Sequence, residues 1–137
     1  MKGVKLFYTF QCPIGARDSK IGITGHPAVR LGGYQNSYSR NSHVACFNMV
    51  YYGPSRAIEN LERVLKQEFD WDIERDGRGA SEWISGYNTQ DITAKVEEVI
   101  DGYRFKIQKV PKKFLPLTVD NLLEFEKYLE SKLEKPV

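Results

Sequence analysis

Apolar and polar positions change rhythm along the chain. Residues 4–10 and 44–52 are nearly unbroken apolar runs, rich in β-branched and aromatic side chains, and 19–24 is a shorter one. Such runs predict strands, with 44–52 central in a sheet. Between the first two, Pro13 and Gly15 predict a loop, so 4–10 and 19–24 read as an antiparallel hairpin with a long connection. Gly25, His26 and Pro27 then break the second strand. Pro27 suits the first turn of a short helix, where its missing N–H costs nothing. That helix carries Arg30 and is expected to stop near Gly32 and Gly33, followed by a polar, exposed loop over 36–42.

Helical spacing takes over after Gly53 and Pro54. Ser55 offers an N-cap, and Ala57, Ile58, Leu61, Val64, Leu65 and Phe69 recur on one face. Residues 70–80 are charged and read as a loop, and 82–84 as a short strand. Residues 89–101 form a second amphipathic pattern through Ile92, Val96, Val99 and Ile100. Strict alternation over 103–110 predicts a strand, 109–116 an exposed connection, and Thr118 a cap for a last helix through Leu122, Phe125, Leu129 and Leu133. This order predicts an α/β (α+β) fold: a small, mostly antiparallel three-stranded sheet flanked by helices, with a C-terminal strand and helix as an extension.

Composition narrows the classes. With 137 residues, 41% hydrophobic and 28% charged, the chain has the material for one packed domain. The expected division is a domain over 1–101 and an extension over 102–137 packed on it. No apolar run approaches the roughly 18 residues of a membrane helix. Lys5 interrupts the apolar stretch at the N-terminus, so no secretory leader is read there. Cys12 and Cys46 show no metal-type spacing, and a reduced, intracellular chain (cytoplasm or nucleus) is expected.

Charge adds a direction. Residues 1–57 hold seven basic side chains against one acid, Asp18, whereas 58–137 hold thirteen against seventeen. A basic half suits a polyanion. Tyr34, Tyr38 and Arg40 interleave with polar residues, a composition that stacks on bases and bonds phosphates. Arg104, Lys106, Lys109, Lys112 and Lys113 run without an intervening acid. Each segment also has an ordinary reading as a solvated surface. His26 and His43 have no metal spacing, and no hydrolase triad or phosphate-binding glycine loop is present.

One constellation stands out: Tyr8 on the first strand, Lys20-Ile21-Gly22 on the second, Arg30-Leu31 on the short helix, Glu62 with Leu65 and Phe69 on the longer helix, then Glu82-Trp83. Taken singly, each has a structural reading. In this order they resemble the GIY-YIG nuclease family, in particular its phage- and virus-type branch with a Lys-Ile-Gly second motif. The resemblance covers residues 4–85. Leu6 and Phe7 replace the usual Gly-Ile, and Lys20 stands where the second tyrosine usually is.

The resemblance implies a metal-dependent DNA endonuclease, with RNA as an alternative substrate. It implies catalytic Tyr8, Lys20, Arg30, Tyr34 and Glu62. Glu62 would bind one Mg²⁺ or Mn²⁺, Arg30 the scissile phosphate, and Glu82-Trp83 would pack under the active helix. Phosphodiester hydrolysis needs an activated water and cations around the pentacovalent phosphate. A tyrosine ionises near 10, so as a base Tyr8 needs neighbouring cations, which Lys20 and Arg30 are expected to supply. The alternative base is a partly desolvated Lys20, with Tyr8 orienting the water. Glu62 falls at the boundary of its helix's apolar arc, Glu59 points further to solvent, and Glu68 is the competing ligand. A non-cleaving nucleic-acid-binding protein is the alternative function. The oligomeric state stays open: a double-strand cut would need a dimer or a second encounter.

Overall fold

The computed structural model describes residues 3–11, 19–38, 46–69, 73–75, 82–84 and 86–133. Six strands form one sheet: β1 (Val4–Gln11), β2 (Ser19–Thr24), β3 (Met49–Pro54), β4 (Ile73–Arg75), β5 (Glu82–Ile84) and β6 (Gln108–Lys109). Their order is β4-β5-β2-β1-β3-β6, and every pairing is antiparallel. The expected three-stranded sheet is the centre of this larger one. Of the added strands, β5 is the short strand expected over 82–84 and β6 is the paired part of the strand expected over 103–110; β4 falls in 70–80, expected as a loop, and its three residues are too few to carry a periodic signal.

The central strands are largely apolar, and even Thr9 and Ser19 are fully buried, because both faces of the sheet are covered. Along β1, Leu6, Tyr8 and Phe10 enter one core while Phe7 enters the other. Val50 and Tyr52 of β3 join the first core and Tyr51 the second. Helix α1 (Pro27–Tyr38) and helix α4 (Leu122–Leu133) cover the first face through Leu31, Leu122, Phe125 and Leu129. Helices α2 (Ser55–Glu68) and α3 (Thr89–Tyr103) cover the second through Ile58, Leu61, Val64, Leu65, Ile92, Val96 and Val99. The result is a three-layer arrangement with the sheet in the middle.

Several boundaries differ from expectation. Helix α1 runs through Gly32 and Gly33 to Tyr38 because Leu31, fully buried, and Tyr34 fasten both sides of the glycine pair to the first core. Residues 36–38 are therefore helical, and 39–42 lie outside the described residues. Strand β3 begins at Met49, with Phe47 making an isolated bridge to Leu117. Ser55 is the first helical residue and makes no side-chain cap; its N–H donates instead to the Gly3 carbonyl at 2.9 Å.

Helix α3 continues to Tyr103, where Arg104, at φ 55°, closes it in the left-handed region. Only Gln108 and Lys109 of the expected 103–110 strand pair with β3. A 3₁₀ turn, Lys112–Phe114, occupies the expected connection. Helix α4 starts after Asn121, whose carbonyl accepts from Phe125 N–H at 3.2 Å. Thr118 accepts from Asp120 N–H in the turn before it rather than capping the helix.

The C-terminal extension is not peripheral. Val110, Phe114, Leu117, Leu122, Phe125 and Leu129 supply six of the thirteen buried residues of the first core. That core also holds Tyr8, so the extension supports the candidate site directly.

Candidate functional site

The candidate site is assembled around Tyr8. In the β1–β2 register Tyr8 lies opposite Gly22. A Cβ built on Gly22 would fall 2.4 Å from the Tyr8 Oη and 2.6 Å from its Cζ. The second-motif glycine is thus the space that the phenol occupies. On its other side the Tyr8 ring stacks on Phe47, with centroids 4.0 Å apart and planes 12° from parallel. Tyr8 is 1% exposed.

Helix α1 brings Tyr34 to the same place. Its hydroxyl lies 2.9 Å from that of Tyr8, and its ring stacks on Phe10 at 4.5 Å. Lys20, on the same strand as Gly22 and two residues before it, is 9% exposed, and its Nζ sits 5.5 Å from the Tyr34 ring centroid. A desolvated ammonium over an aromatic face is held by the ring quadrupole. Tyr8, Lys20 and Tyr34 therefore form one contiguous cluster. Phe10 and Phe47 complete it. Sequence reasoning passed over both, since an apolar strand position gives no sign of which ring it will meet.

Arg30 stands one turn before Tyr34 on α1. It is exposed, and it makes no salt bridge with a described residue. Its positive charge reaches Tyr8 and favours the phenolate. The balance nevertheless runs the other way: the Tyr8 phenol is held well above the ordinary tyrosine range. Burial is the main cause, and the charge and hydrogen bond of Tyr34 add to it; Arg30 opposes them, and Glu62 raises it further. Arg30 does lower the Tyr8 pKa, as expected, and Lys20 is not among the influences on it; the expected net depression is corrected, because burial outweighs the charge. A nearby guanidinium does not compensate for a ring removed from water on all sides.

Glu62 is the member least closely joined. Helix α2 packs on the second face of the sheet, opposite the layer that holds Tyr8 and Tyr34. Glu62 occupies the boundary of that helix, with 21% of its side chain exposed and Lys66 Nζ 3.6 Å from its carboxylate. It borders a shallow, open depression along α2 with Glu59, Arg63, Lys66 and Gln67. Its charge still reaches the Tyr8 phenol, as the last of the influences on it. The competing carboxylates are engaged: Glu59 with Lys5 at 2.8 Å and Glu68 with Lys95 at 3.4 Å.

Among the described residues no group of three or more His, Cys, Asp or Glu side chains is placed to hold a metal. A single carboxylate still suits Mg²⁺, which keeps most of its waters and takes one or two carboxylates together with substrate phosphates. Glu62 meets that minimal requirement. His26 is exposed and its N–H donates to Thr24 Oγ1, a turn role. Cys46 is a partly buried free thiol. Cys12, His43, Arg40 and the side chain of Trp83, and with it the expected packing of Glu82-Trp83 under α2, lie outside the described residues. Among the described residues, no helix is long and apolar enough to cross a membrane.

No protein-family model, no curated protein and no solved structure matches this chain. The GIY-YIG resemblance accordingly rests on the sequence motifs given above.

Proposed function

We propose that the protein is a GIY-YIG-like endonuclease that hydrolyses DNA phosphodiester bonds with one divalent metal. The observation that carries this reading is the Tyr8 phenol, seated over Gly22, bonded to Tyr34 and within electrostatic reach of both Arg30 and Glu62. A phenol bonded to a second, partly buried phenol on the helix that carries an exposed guanidinium suits a phosphate oxygen.

The roles follow from protonation and exposure. Arg30, exposed and on the Tyr8 side of the sheet, donates to the scissile phosphate through a planar fork of N–H groups. Tyr8 enters the reaction protonated, because burial holds its pKa up. The Tyr8–Tyr34 pair uses one phenolic proton for its own bond and keeps a second for a phosphate oxygen or the water. Tyr8 is then a donor that orients rather than the base that activates the water. Glu62 would hold Mg²⁺ or Mn²⁺, whose charge stabilises the pentacovalent phosphate.

A nucleic-acid-binding protein without cleavage is the second reading. It is favoured by the placement of Glu62 on the opposite layer and by its pairing with Lys66. Nicking of supercoiled plasmid DNA with Mg²⁺ separates the two. Wild type nicks; Glu62→Gln lowers the rate by about 100-fold or more, the scale of a lost metal-held charge; and Glu68→Gln, which removes only a surface partner of Lys95, leaves it within a few fold. Salt-sensitive DNA binding by a wild type that never nicks would establish the second reading.

A further inference from the structure

Where α3 ends, Tyr103 is left 61% exposed among the large hydrophobic side chains. Its ring stacks on Phe105, with centroids 5.4 Å apart and planes 8° from parallel. Phe105 packs against the second core, so the pair is a short column with one end anchored. The backbone beneath it is fixed. Arg104 N–H donates to the Asp101 carbonyl at 3.3 Å, Phe105 N–H to Ile100 at 3.1 Å, and Ile107 N–H to Phe105 at 2.9 Å. The segment then crosses β3 so closely that a Cβ on Gly53 would meet the Lys106 carbonyl at 2.8 Å. Pairing of Gln108 and Lys109 with β3 ends the anchorage.

Charge surrounds this column asymmetrically. From 102 to 119 the chain carries Arg104, Lys106, Lys109, Lys112 and Lys113 and no acid. Lys109 is taken by Glu97 at 2.7 Å. Arg104, Lys106 and Lys112 are exposed and make no salt bridge with a described residue, and the flanking acids in sequence are Asp101 and Asp120. An exposed ring, stacked on a second ring and followed in the chain by an exposed guanidinium and an exposed ammonium, has the parts on which an unpaired nucleobase stacks while its phosphates meet the cations.

We propose that Tyr103, with Arg104 and Lys106, is a docking platform for single-stranded nucleic acid. A duplex keeps its bases stacked on one another and offers this ring no face, so the platform distinguishes single strands from duplex. It lies outside the Tyr8 cluster and does not depend on cleavage there, although a nuclease would use it to hold a displaced strand.

The test is fluorescence anisotropy with a labelled mixed-sequence DNA 12-mer and its duplex, with EDTA present so that no strand is cut. Tyr103→Ala is expected to weaken single-strand binding by about tenfold, the effect of losing one stacked base, and Tyr103→Phe to retain it. Lys106→Ala is expected to flatten the logarithmic salt dependence by about 0.7. Circular dichroism checks that each variant is folded. Equal single-strand affinity in wild type and folded Tyr103→Ala overturns the proposal, as does a wild type that binds no single strand at low salt. Plasmid nicking by Tyr103→Ala is read separately. Loss of the platform with nicking intact, or the reverse, shows which of the two readings has failed.

Discussion

Gly22→Ala is the most direct perturbation of the candidate site, because a single methyl meets the phenol on which the site is built. The new Cβ would sit 2.4 Å from Tyr8 Oη and 2.6 Å from Cζ. Neither neighbour can yield easily, since Tyr8 is stacked on Phe47 at 4.0 Å and bonded to Tyr34 at 2.9 Å. Overpacking of this kind costs about 1–3 kcal/mol. Displacing the ring also sacrifices a hydrogen bond of about 1 kcal/mol net. The alanine regains about 0.5–1 kcal/mol of backbone entropy. A net loss of about 2 kcal/mol is expected, equivalent to a drop of about 1 M in the urea midpoint.

Gly32→Ala is the control. It lies in α1 with nothing within 4 Å of the added Cβ, so the entropy gain of about 0.5–1 kcal/mol stands alone and the midpoint rises. Urea unfolding followed by tryptophan fluorescence measures both. A Gly22→Ala protein as stable as wild type would refute the placement of the Tyr8 ring over Gly22, and with it the structural account of the site.

Two further outcomes are expected. Tyr34→Phe keeps the ring on Phe10 and beneath Lys20 but leaves the buried Tyr8 hydroxyl without its partner; a loss of about 1–3 kcal/mol in urea unfolding is expected, and an unchanged midpoint would show that the bond contributes nothing. Alkaline titration reads the buried phenols: burial holds Tyr8 and Tyr51 up and pushes Tyr52 up to about 12, each assisted by a neighbouring side chain. Because these folded values lie above the unfolded value near 10, their stabilising contribution is complete below pH 10 and is lost as pH rises through and beyond it. Phenolate absorbance should show these three ionising last, together with unfolding, and early ionisation of all eight tyrosines in folded protein would contradict their burial.

How far the site was legible can be traced residue by residue. Tyr8, Lys20 and Gly22 share one face of their strands by simple alternation, so their proximity follows from the hairpin itself. Tyr34 is reached only because α1 continues through two glycines, which local propensity argues against. Glu62 was read correctly as a boundary residue of its helix, but periodicity carries no information about which side of the sheet that helix covers.

By itself the sequence determined the order of the longer strands and helices, which of their positions face a core, and that the chain is a mixed α and β domain. These depend on the period of apolar residues, a local property of neighbouring positions. The tertiary structure alone decided that the sheet has six strands, that the 102–137 extension completes the core behind Tyr8, and that Phe47 meets the Tyr8 ring. It also decided the direction in which the Tyr8 phenol shifts, because a pKa sums burial and charge through space, and residues distant along the chain set both.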